Sequence, residues 1–99
     1  MLIADNKMTK EEWKNCYNEL YDIYSEYSGI YAHYKNGKNK HIRNEAAERL
    51  CVIIKRAERT IRCHEELIEL VDHSDEMFSL PWFFEDLQTL LVKVEEIAQ

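Results

Sequence analysis

The sequence predicts an all-α protein: an antiparallel three-helix bundle, with helices at about residues 10–35, 42–72 and 80–98 forming a long hairpin plus a shorter third helix. Three observations carry that reading. The 99 residues include two Gly and one Pro, which leaves the windows 1–28 and 38–80 free of both. Glu, Leu, Ile, Lys and Arg, all good helix formers, are abundant. Apolar residues recur at alternating spacings of four and three, the period of a helix that buries one face. A chain this long builds one core, so residues 1–99 are expected to form a single helical domain, with 1–8 a loosely ordered lead-in.

The first helix is announced by Thr9 and Glu12, which match a capping box and place its start near Lys10. Its predicted seam is Trp13, Tyr17, Leu20, Tyr24, Tyr27, Tyr31 and Tyr34, flanked by Cys16, Ile23 and Ile30 on one side and Tyr21 on the other. Ser28-Gly29 is a candidate bend, and Asn36-Gly37 is a strong stop. The second helix is expected to start at Ile42 or Asn44 and to run to Asp72, about 45 Å at 1.5 Å per residue. Its inner stripe would be Leu50, Ile54, Ala57, Ile61, His64, Ile68 and Val71, widened by Ala46, Ala47 and Ile53. A break at 73–75 follows. Ser79 as N-cap and Pro81 in the first turn open the third helix. Its inner positions are Phe83, Leu87, Leu90, Leu91, Val94 and Ile97.

Composition bounds the function. No apolar run reaches the ~20 residues of a membrane span. MLIADNKMTKEE lacks the basic-then-apolar order of a signal peptide. The three cysteines, Cys16, Cys51 and Cys63, are an odd number with no CxxC spacing, so a reducing, cytoplasmic setting is expected. Charge is uneven along the chain. Residues 35–62 carry nine Lys or Arg against three Glu, whereas 63–99 carry one Lys against ten acids. Either neighbouring helices neutralise one another, or the two blocks mark docking surfaces.

All six tyrosines fall between Tyr17 and Tyr34. A dry core favours Leu or Phe, because each buried phenol needs a hydrogen-bond partner. The stripe spreads over roughly 140°, wider than the roughly 100° arc a helix typically buries. Some rings should therefore meet a rim, a dimer seam or a partner. Tyr21, Tyr24, Tyr31 and Tyr34 are the candidates, together with Trp82, which points away from the inner stripe of the third helix.

A row of bases, Lys55, Arg56, Arg59 and Arg62, lies on the outer face of the second helix and is the candidate phosphate-binding surface. No aromatic platform or nucleic-acid motif accompanies it. Within this row, Arg59-x4-His64 resembles the R-x4–6-H signature of HEPN-type ribonucleases over six residues. The resemblance implies a small helical dimer in which the Arg and His of two protomers converge on RNA. On an unbroken helix the two side chains would diverge by about 140°, leaving His64 in the core. No metal-ligand spacing, phosphate loop or positioned nucleophile is present, so no metal, cofactor or enzyme chemistry is expected.

The reading that follows is a small, acidic, non-enzymatic protein-interaction module. In scale it is similar to bacterial and phage inhibitors or adaptors that act by steric binding to a larger protein. The expected partner is basic or nucleic-acid-binding, with a homodimer as the other form of docking. Nucleic-acid binding through the basic row is the alternative, and a HEPN-like ribonuclease a further one.

Overall fold

The computed structural model describes residues 8–99 and shows an all-α bundle with no strand among them. Helix α1 spans Lys10–Asn36, α2 Lys40–Arg62, a single turn α3 Glu65–Ile68, and α4 Leu80–Ala98, with a 3-10 turn at Ser74–Met77 before α4. The lead-in expected at 1–8 lies outside the described residues except for Met8. Its backbone N–H donates to Glu66 Oε2 at 3.3 Å.

The capping box at Thr9 forms as expected: Glu12 N–H donates to Thr9 Oγ1 at 3.1 Å, and Thr9 N–H donates to Glu12 Oε1 at 2.9 Å. α1 runs unbroken through Ser28-Gly29. A Cβ built on Gly29 meets nothing within 4 Å. Gly29→Ala should therefore stabilise the protein by about 0.5–1 kcal/mol, because it removes backbone entropy from the unfolded chain without a clash. A rise in the urea midpoint at constant slope would show it, and a fall would mean that α1 depends on a bend there. Gly37 is different. Its N–H caps His33 O, and an added Cβ would stand 2.5 Å from that carbonyl. Close approach, rather than an unusual φ, keeps this position glycine.

α2 starts at Lys40, earlier than the sequence suggested, because Asn39 caps it by accepting from Ile42 N–H at 3.0 Å. It ends at Arg62 instead of Asp72. The chain then turns through α3 and climbs back along the bundle. This return segment is held by burial of Leu67, Val71 and Met77 and by Lys93 Nζ donating to Leu70 O at 2.8 Å. Ser74 takes a left-handed φ of 49° within it.

α1 is the central helix. α2 returns along one side of it. α4 lies along the other side and also runs antiparallel to α1: Phe84, near its start, meets Tyr24, Tyr27 and Tyr31, whereas Glu95 and Ala98, near its end, share a cleft with Lys14 and Tyr17. At α4 the Ser79 side chain does not cap. Its Oγ donates instead to Glu76 O at 2.8 Å, while Ser79 O accepts from Trp82 and Phe83 N–H.

The core is Leu20, Tyr27, Leu50, Ala57, Ile61, Phe83, Leu87, Leu90 and Val94, all fully buried, with their neighbours. Each large apolar side chain buried there contributes roughly 1.5–3 kcal/mol. In α1 the buried stripe is Cys16, Leu20, Ile23, Tyr27 and Ile30. The expected seam is thus rotated toward its aliphatic flank. Aliphatic side chains fill the α1–α2 interface, and the tyrosines other than Tyr27 move to the α4 side, half-buried or, at Tyr21, exposed. Ile97, expected inside, is 39% exposed, and Ala98 is buried in its place.

Candidate functional site

Five of the six tyrosines, with Phe84, make one continuous row of rings along the α1–α4 seam. Ring centroids are 6.0 Å apart for Tyr17–Tyr21, 6.3 Å for Tyr21–Tyr24, 5.6 Å for Tyr24–Phe84, 4.5 Å for Phe84–Tyr31 and 5.9 Å for Tyr31–Tyr34. Tyr27 lies behind the row, 5.0 Å from Phe83 and 5.4 Å from Phe84. Tyr17, Tyr24, Tyr31, Tyr34 and Phe84 are half-buried, and Tyr21 is 49% exposed. Lys35 Nζ sits 5.9 Å over the Tyr31 ring. Partial desolvation first, and then the Glu95 carboxylate, hold the Tyr17 phenol above its ordinary pKa.

Tyr27 pays for its depth in the core. Its hydroxyl is buried without a hydrogen-bond partner among the described residues. Desolvation first, then Tyr31, Cys51 and Tyr34, push its pKa up. An unsatisfied buried polar group costs about 1–3 kcal/mol. Tyr27→Phe should therefore raise stability by about 1 kcal/mol, a melting-temperature gain of roughly 4–8 °C for a chain of this size. A lower melting temperature would mean that the hydroxyl is satisfied.

Of the predicted partner residues, the structure brings Tyr21, Tyr24, Tyr31 and Tyr34 together and sets Trp82 apart. Trp82 is 39% exposed and stacks on His73 of the return segment, with centroids 4.1 Å apart and planes 18° from parallel. His73 is in turn fastened to Asp86 of α4. Asp86 Oδ2 accepts from His73 N–H at 3.1 Å, and Oδ1 faces Nδ1 at 2.8 Å. The hydrogen bond to Asp86 is the main cause of the raised His73 pKa. Sequence reading missed this pair. The available signal was an acid at position 86, set among Phe83, Leu87 and Leu90 on an otherwise apolar flank.

The basic row is partly neutralised. Arg56 pairs with Glu26. Arg62 donates to Glu58 at 2.7 Å and Asp75 at 2.9 Å and lies over the Phe78 ring. Lys55 and Arg59 make no ion pair among the described residues. Arg59 and His64 do not diverge as an unbroken helix required. Because α2 ends at Arg62, His64 takes the N-cap position of α3, half-buried, and both residues line one cleft of about 430 Å³ with Glu12, Asn15, Cys16, Glu19, Thr60 and Cys63. Burial raises the Cys16 thiol to about 11, so this cleft holds no Cys16 thiolate at neutral pH.

No helix among the described residues is long and apolar enough to cross a membrane. Comparison of the chain with protein-family models, with curated proteins and with solved structures finds no match.

Proposed function

We propose that the chain is a small, non-enzymatic protein-binding module, a stoichiometric inhibitor or adaptor that docks on a larger protein through the α1–α4 aromatic face. The observation that carries this reading is the unbroken row from Tyr17 to Tyr34 through Phe84, half-wet along its length and most exposed at Tyr21. Tyrosine gives large contact area with a polar tip at little rotamer cost, which is why it is enriched in binding hot spots. Glu65, Glu69, Asp72 and Glu76 have no ion pair among the described residues. Their field would steer a basic partner, such as a nucleic-acid-binding protein, toward the molecule.

The test is capture from a lysate of the native host, with nuclease, by wild type, Tyr21→Ala and Arg59→Ala in parallel. A stoichiometric protein held by wild type and Arg59→Ala but lost by Tyr21→Ala supports the reading. Partners that vanish on nuclease treatment would overturn it in favour of the basic row. Light scattering on the purified protein distinguishes a second copy from a foreign partner on the same face.

The cleft shared by Arg59 and His64 favours a second reading, a HEPN-like ribonuclease. Glu12 and Glu19 in the same cleft oppose phosphate, which places it second. His64 is half-buried at a cleft rather than sealed in the core, so His64→Ala should leave the melting temperature nearly unchanged. RNA cleavage present in wild type and absent in His64→Ala would establish this alternative. No cleavage by wild type would remove it.

A further inference from the structure

We propose that His73, Glu85 and Asp86 bind a first-row divalent cation of borderline character, such as Zn2+ or Ni2+, which staples the return segment to α4. One donor atom from each of the three residues lies within 4.8 Å of the other two. Asp86 is fully buried, and its recorded partners are both on His73. No Lys or Arg among the described residues pairs with it. A buried carboxylate is expensive unless hydrogen bonds and a positive charge compensate it, and all the recorded compensation of Asp86 comes from His73 alone. A divalent cation supplies that charge.

The geometry suits the exchange. Two ligands of a tetrahedral zinc, each with a bond of ~2.0–2.1 Å, stand roughly 3.3 Å apart, and Nδ1 and Oδ1, now 2.8 Å apart, need to part only slightly to reach that spacing. The cation takes the place of the proton between them once the imidazole turns to aim Nδ1 at it, and the imidazole keeps its one proton on Nε2. Glu85 is exposed, and its carboxylate is in no hydrogen bond or ion pair among the described residues, so it is free to turn in as the third ligand. One imidazole and two carboxylates, completed by water, suit zinc or nickel. They do not suit a thiolate-seeking ion, or the all-oxygen shell of calcium. His73 comes from the return segment and the other two from α4, so binding fixes where that segment lies on α4. This departs from the expectation of no metal, because His73 stands thirteen residues before Asp86 and only the return of the chain brings it to the two acids.

Trp82, flat on the His73 ring, reports occupancy directly. In metal-stripped protein carrying Trp13→Phe, titration with Zn2+ should give a saturable change in Trp82 fluorescence at one equivalent, matched by calorimetry. The affinity should fall about tenfold or more in Glu85→Gln and be lost in His73→Ala. Glu85→Gln changes a surface side chain, so it tests the site even if His73→Ala loosens the segment. With Co2+ as the probe, spectra of nitrogen and oxygen ligation support the site, and a thiolate charge-transfer band would move the metal to the cysteines and overturn it. No saturable response up to about 1 mM Zn2+, or equal binding by both variants and wild type, would reduce the cluster to a hydrogen-bonded latch.

Discussion

Phe83→Ala should remove about 3–5 kcal/mol of stability. Phe83 is fully buried and packs against Tyr27 at the centre of the α1–α4 interface. The loss combines the transfer free energy of the ring with the cavity left behind, since α1 and α4 are long helices that cannot collapse locally. Set against the roughly 5–15 kcal/mol that small proteins hold in total, this is a large share of the stability of the fold. Urea denaturation should show a large fall in midpoint at an unchanged slope. A shift below about 1 kcal/mol would mean that α4 is not seated on α1 through this ring.

Tyr21→Ala should do the reverse: leave the fold nearly untouched and cost partner binding about 2 kcal/mol or more, roughly 30-fold in affinity. Tyr21 is 49% exposed, and its recorded ring contacts are its row neighbours Tyr17 and Tyr24. A surface substitution of that kind changes stability by about 0.5 kcal/mol or less. Titration calorimetry on the captured partner, with thermal melts of both proteins alongside, separates the two effects. Equal loss of stability and binding would mark Tyr21 as a structural residue.

Local signals in the sequence account for much of this architecture. Thr9 and Glu12 mark the start of α1, and Pro81 and the spacing of Phe83, Leu87, Leu90 and Val94 describe α4. The end of α2 was not legible. The apolar period continues through His64, Ile68 and Val71, and no Gly or Pro stands between residues 38 and 80 to interrupt it. The break at Cys63–His64 is settled by tertiary contacts instead, in which Leu67 enters the core and Glu66 meets Met8.

Two features of the site depend on that break. It turns Arg59 and His64 into one cleft. It also frees the segment that carries His73 back to Asp86 and Trp82. The tyrosine stripe was visible from spacing alone, but its rotation was not. Which flank of α1 is buried depends on α2 offering Leu50, Ile53, Ile54 and Ala57 to the aliphatic side, a match made between helices.

The most direct measurement places a photo-crosslinking phenylalanine analogue at Tyr21 and, separately, at Val52, an apolar residue of α2 that is 65% exposed. Irradiation in nuclease-treated lysate of the native host should give one dominant protein adduct from position 21 and none from position 52. Adducts from position 52 alone, or in equal yield from both positions, would contradict docking through the aromatic face.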